Sequence, residues 1–98
     1  MTRVAVLDVG KTNAKLALVD GATLAEIAVL TRPNRVLPGP PWPHMDLEGH
    51  WRFFLDGLRR LQEAHGIDAI SVTTHGAAAV LLDGQGDLAA PILDYEHA

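Results

Sequence analysis

The chain reads as an α/β domain: a β-meander, one helix, a further strand and a β-hairpin. Three observations predict it. The first third holds three short strand-like runs joined by turn chemistry. Positions 47–65 carry apolar residues at three- and four-residue spacing. The remainder returns to β-branched and apolar runs around a glycine-rich link.

Val4 to Asp8 is an apolar run without polar alternation, the pattern of a strand buried on both faces. Val9-Gly10-Lys11-Thr12-Asn13 is a turn, because Gly and Asn accept positive φ at little steric cost. Lys15 to Asp20 alternates, with Lys15 and Ala17 on one face and Leu16 and Leu18 on the other. Asp20-Gly21 is a tight-turn pair of the kind that joins antiparallel strands, and Leu24 to Thr31 supplies the third strand.

Arg32 to Met45 holds five of the six prolines and is expected to be a long loop without regular structure. Its Trp42 has two readings, a side chain docked on the surface or a ligand contact. Asp46 is the expected N-cap, with Glu48 in the first turn, where the helix dipole favours an anion. Leu47, Trp51, Phe54, Leu55, Leu58 and Leu61 form the expected apolar face, and Arg52, Asp56, Arg59, Gln62 and Glu63 the wet one. Gly66 is the expected C-cap, so the helix runs from about Leu47 to His65. Ile67 to Thr74 is a strand. Ala78 to Asp83 and Leu88 to Leu93 form a hairpin around Asp83-Gly84-Gln85-Gly86-Asp87.

Composition excludes several classes of function. The 98 residues are 48% hydrophobic and 20% charged, too apolar for a disordered tail. A net charge of -4 gives no basic surface for nucleic acid or an anionic membrane. Cysteine is absent, which removes disulfides, thiol nucleophiles and Cys-ligated zinc, and suits a cytoplasmic location. The N-terminus is not a signal peptide, since its apolar run is broken at Asp8 and Lys11. The longest apolar run, Ala77 to Leu82, is far below the roughly 18 residues that span a bilayer. So apolar a small chain is expected to be a fragment missing its packing surface, or else to associate with itself as a homodimer.

The most informative stretch is Asp8 to Lys15. A strand ends in Asp8, turns through Gly10, presents Thr12 and Asn13, and re-enters a strand at Lys15. Such a turn suits a phosphate cradle: backbone N–H groups face an anion, Thr12 and Asn13 add donors, and Lys11 and Lys15 add charge. Asp8 beside a phosphate requires a divalent cation between them, because carboxylate and phosphate repel. The stretch is neither a Walker A loop nor a dinucleotide-binding G-x-G-x-x-G. The competing reading is an ordinary hairpin turn with solvated lysines.

With Asp8, Gly10, Thr12 and Lys15 in place, the strand–turn–strand resembles the first phosphate motif, D-x-G-x-T-x-x-[KR], of the sugar kinase, Hsp70 and actin superfamily. Within it the sequence is most similar to the FGGY carbohydrate kinases. The further landmarks follow in order: the Pro-rich loop with Trp42, Asp46-Leu47-Glu48-Gly49-His50-Trp51, the strand ending Thr74-His75-Gly76, the hairpin from Val80 to Leu88, and Pro91-Ile92-Leu93-Asp94-Tyr95.

The resemblance implies a partial ribonuclease H-like (actin-like ATPase) domain. Residues 1–98 would be the N-terminal portion of the first of two domains that clamp ATP and a sugar or polyol. It implies transfer of the γ-phosphate of ATP to a sugar hydroxyl, with Mg²⁺ oriented by Asp8 through water. Asp8, Gly10, Lys11, Thr12, Asn13 and Lys15 would bind the phosphates. Thr74, His75, Gly76, Asp94, Tyr95 and Glu96 would face the sugar. His75 has a local alternative, a polar group satisfied at a strand end, while His44, His50 and His65 read as solvated. The family's general-base Asp, second phosphate motif and adenosine motif lie beyond Ala98, so these residues alone are expected to be inactive. Lys11 stands where many members carry a small hydroxyl residue. Tyr95-Glu96-His97 departs from the family's usual sequence, which leaves the sugar open. A non-catalytic actin-like nucleotide-binding or regulatory domain is the alternative.

Overall fold

A computed structural model describes residues 2–76 and 78–94. The described chain runs β1 (Arg3–Val9), β2 (Asn13–Asp20), β3 (Glu26–Pro33), β4 (Val36–Leu37), β5 (His44–Met45), α1 (Leu47–Ala64) and β6 (Ala69–Thr74). A four-stranded sheet has the order β3-β2-β1-β6. β1–β2 and β2–β3 pair antiparallel, and β6 lies parallel to β1 with Val9 opposite Thr74. Arg3 fixes this register. Its N–H donates to the Asp68 carboxylate at 2.8 Å, its carbonyl accepts from the Asp68 N–H at 2.8 Å, and its guanidinium donates to the His65 carbonyl.

The β-meander, the helix and the following strand are where the sequence expects them, and the differences have physical causes. Only Ala5 of β1 is buried, because α1 covers one face of the sheet among the described residues. The second turn is longer than a tight pair. Asp20 Oδ1 accepts from the N–H groups of Ala22 and Thr23, and Leu24 takes φ 62° in that loop, so the third strand starts at Glu26. The Pro-rich segment is not wholly irregular: Val36–Leu37 and His44–Met45 flank the proline cluster, keep their backbone donors, and pair antiparallel. Trp42 is docked, its indole donating to the Pro91 carbonyl at 3.1 Å. The hairpin shrinks to one bridge, Leu82 to Leu88, around the Asp83 turn. No described layer lies beneath Val80, Leu81 and Leu82, so extending those strands would bury nothing.

The helix is capped as its sequence specifies. Asp46 Oδ1 accepts from the Gly49 N–H at 3.0 Å, and Gly66, at φ 85°, donates to the Leu61 and Gln62 carbonyls just past the end. Its buried face differs from the expected one. His50, Phe54, Gly57 and Leu61 point at the sheet, whereas Leu47, Trp51 and Leu55 are exposed. Gly57 explains the rotation. A Cβ there would come within 2.5 Å of Leu16 Cδ2 and 3.2 Å of Leu30 Cδ1, so only glycine brings the helix this close to β2 and β3. The core is Ala5, Ala14, Leu16, Leu18, Phe54 and Leu61.

On the same face of the sheet, Ile70 and Val72 of β6 are 58% and 66% exposed, and Trp51 is 62% exposed. All three are large, apolar and exposed among the described residues.

Candidate functional site

The carboxyl ends of β1 and β6 lie side by side at one end of the sheet, and the candidate residues collect there. The Gly10–Asn13 turn follows β1 directly. Gly10 N–H donates to the Asn13 carbonyl at 2.9 Å, so this amide is spent closing the turn and does not face a ligand. A Cβ at position 10 would lie 3.2 Å from the same carbonyl, which favours glycine. Thr12 and Asn13 are exposed at the tip.

The two lysines part company. Lys11 Nζ bonds Asp94 Oδ1 at 2.9 Å, and Asp94 is brought there because its N–H donates to the Pro43 carbonyl. Lys15 lies on the sheet face opposite α1, cross-strand from Asp8, with its Nζ 2.8 Å from Glu26 Oε1. The Glu26 hydrogen bond and charge, with a smaller contribution from Asp8, raise the Lys15 pKa against a slight desolvation effect, so the ammonium stays charged. Asp8, Lys15 and Glu26 line one shallow depression with Val6, Ala17 and Val19.

His75 follows β6, and its N–H donates to the Val9 carbonyl at 2.9 Å, which holds it beside the turn. Thr74 and His75 line a cavity of about 240 Å³ with Asn34, His50, Trp51 and Phe54 among its other walls. Gly76 is exposed, with open space where a Cβ would stand. Asp94 reaches the same end of the sheet at Lys11. Tyr95 and Glu96 lie outside the described residues. Among the described residues no three metal-ligating side chains gather, so a cation beside Asp8 would need other ligands, such as waters or phosphate oxygens.

The structure adds residues that the sequence reading passed over. His50, expected on the wet surface, is 7% exposed and bonds Asn34 Oδ1 through Nε2 at 2.9 Å. Asn34 Nδ2 donates to the Gly10 carbonyl at 2.7 Å. Arg32 links this pair to the helix cap, 3.4 Å from His50 Nδ1 and 3.1 Å from Asp46 Oδ2. The spacing of His50, Phe54, Gly57 and Leu61 carried the signal, but neither His nor Gly weighs in an apolar stripe. Burial would raise the Asp46 pKa, but the Gly49 N–H and Arg32 outweigh it and lower it. Burial first, then Arg32 and His75, lower His50 against the pull of Asp46.

Both groups bind protons more weakly folded than unfolded, so acid favours the unfolded chain. Stability is expected to fall as pH drops below 6.5, the ordinary histidine value, and to fall again below 3.8 as Asp46 titrates. Urea midpoints measured across pH check this. A midpoint constant between pH 7 and 5 would exclude the His50 contribution.

No family model matches the chain. The L-fuculokinase of Salmonella typhi is 29% identical over 96 residues, which cover 93% of this chain and 20% of that protein. A solved carbohydrate kinase from Novosphingobium aromaticivorans superposes with a TM-score of 0.82 at 35% identity, covering 96% of this chain and 20% of that one. The chain is a relative of the carbohydrate kinases. The xylulose kinase of Lactobacillus acidophilus shares the fold at a TM-score of 0.75 and 18% identity. The expected resemblance to the FGGY carbohydrate kinases and the partial ribonuclease H-like, actin-like fold are both borne out. This kinase-related chain spans 20% of the length of the fuculokinase it matches. No described helix is long and apolar enough to cross a membrane.

Proposed function

We propose that residues 1–98 are the opening part of the first domain of an ATP-dependent sugar kinase. The observation that carries this reading is the 35% identity and 0.82 TM-score to a carbohydrate kinase over 96% of the chain. The remaining kinase chain would cover Ile70, Val72 and Trp51, whose exposure is otherwise costly. The cytoplasm, where ATP is plentiful and a cysteine-free chain needs no oxidation, is the proposed location.

The residues present fit a nucleotide phosphate. A glycine closes the turn where a side chain would crowd Asn13, and Thr12 and Asn13 stand exposed at the tip. Asp8 and the charged Lys15 share the sheet face beside the turn. Phosphoryl transfer depends on positioning and charge neutralisation more than on covalent chemistry. In this reading Thr12 and Asn13 would orient the phosphate, Lys15 would offset its charge, and Asp8 would help to hold Mg²⁺. The metal would supply charge neutralisation at the phosphate oxygens.

His75 and Thr74, with Gly76 leaving room beside them, would face a sugar or polyol. Asp94, held by Lys11, would approach the same site; Tyr95 and Glu96 complete the proposed set. A histidine can donate to or accept from a hydroxyl through either ring nitrogen, and each unpaired buried polar group costs about 1–3 kcal/mol. His75→Ala in the complete protein is therefore expected to raise the sugar KM roughly tenfold and leave the ATP KM unchanged. Kinetics with each substrate varied in turn decide this. An effect confined to ATP would move His75 to the nucleotide side.

A further inference from the structure

Asn34 and His50 are the buried polar residues among those described, and the reaction outlined above gives neither a role. Asn34 reaches the Gly10–Asn13 turn directly, and His50 supports it through Asn34. The Asn34 main-chain N–H donates to the Thr12 carbonyl at 2.9 Å, and Asn34 Nδ2 donates to the Gly10 carbonyl at 2.7 Å. A carbonyl only accepts, so the Asn34 atom against Gly10 is its NH₂ group, and Oδ1 is left facing His50. His50 therefore donates through Nε2. Its Nδ1 faces the Arg32 guanidinium, which has no acceptor, so Nδ1 is the bare nitrogen. The pairing selects the neutral Nε2–H tautomer.

The consequence for the turn follows from peptide geometry. The peptide bonds after Gly10 and Thr12 are trans, since the cis bonds are at Gly39–Pro40 and Pro40–Pro41. In a trans peptide the carbonyl and the next N–H point in opposite directions. With the Gly10 and Thr12 carbonyls both turned to Asn34, the N–H groups of Lys11 and Asn13 face the other side of the turn.

We infer that Asn34 and His50 are positioning residues that hold two turn carbonyls from behind and so aim the Lys11 and Asn13 amides at the transferred phosphate. This inference rests on the phosphate-binding role proposed for the turn. Gly49 makes room for the support: a Cβ there would collide with the Asp46 carboxylate and the Arg32 guanidinium that flank His50. The groups facing His50 are Arg32 from β3, Asp46 from the helix cap and His75 after β6. Protonating Nδ1 would set a second donor against Arg32 and break the arrangement, so the device works only while His50 is neutral.

The test uses the complete protein and three variants. Asn34→Ala and His50→Leu are expected to lower kcat about tenfold, the order found when a residue supporting a site ligand is removed. His50→Gln places an amide donor near the former Nε2–H. It is expected to restore most of kcat and to lose the acid limb of the pH–rate profile that His50 causes. A kcat unchanged in His50→Leu, or a loss that Gln does not rescue, overturns the positioning role. A second measurement does not depend on turnover: ¹⁵N NMR of the histidine-labelled wild-type protein at neutral pH. A protonated Nε2 and a bare Nδ1 on His50 support the inference. The opposite tautomer, or a charged ring, overturns it even if the protein is an active kinase. Absence of sugar-dependent turnover would instead sink the kinase reading, with the tautomer still judging the hydrogen-bond arrangement.

Discussion

Replacing Lys15 by Ala in the complete protein is expected to lower kcat by about 10²–10³-fold, and Thr12→Ala to act in the same direction, with little change in sugar KM. Lys15 is cross-strand from Asp8, and its ammonium is kept charged by Glu26 2.8 Å away. Thr12 stands exposed at the tip of the turn that follows the same strand. On the proposed reading both groups meet charge that redistributes as the phosphoryl group moves, so their loss falls on the chemical step rather than on sugar binding. Both ammoniums pair with a carboxylate, but the Lys11–Asp94 pair is the less exposed of the two, so Lys11 is less suited to that role. Steady-state kinetics of the two variants provide the check. An unchanged kcat in both would make the turn purely structural.

Leu16→Ala is expected to destabilise the fold by about 2–5 kcal/mol, a large part of the roughly 5–15 kcal/mol that holds a typical domain together. Leu16 is fully buried, and the close approach of Gly57 leaves it no room to be replaced by relaxation of α1 alone. The pair should couple. Gly57→Ala gains helix propensity worth about 1 kcal/mol, but it drives a methyl into Leu16, for a net loss of about 1 kcal/mol. In the Leu16→Ala background the added methyl fills space, so Gly57→Ala should become stabilising. Urea denaturation of the four proteins measures this. Additive effects would show that the two positions do not touch.

Much of this fold was legible because its signals are local. The alternation of Lys15 to Asp20 placed Leu16 and Leu18 on the core face, and Asp46 and Gly66 marked the helix ends. What was not legible depends on partners far along the chain. The apolar stripe Leu47–Trp51–Leu55 points away from the sheet because Gly57 draws the neighbouring face inward. The exposed stripe, with Ile70 and Val72, is the surface that the proposed remainder of the kinase would bury. The hairpin strands failed to extend for want of a layer beneath them.

At the candidate site, the turn and His75 were readable from residue type and position. Their support was not. The Asn34–His50 contact joins residues 16 positions apart across a Pro-rich segment, and nothing local in the sequence pairs them. The division of the lysines between Asp94 and Glu26 is likewise set by which strands lie adjacent.

The proposed kinase role is tested most directly by phosphoryl transfer itself. The complete protein would be incubated with Mg·ATP and a panel of pentoses, ketoses, deoxysugars and polyols, following ADP and sugar phosphate together. At least one sugar is expected to raise ADP formation, with an equal amount of phosphorylated sugar, and residues 1–98 alone are expected to give none. ATP consumption indifferent to every sugar, or no consumption at all by the complete protein, would contradict it.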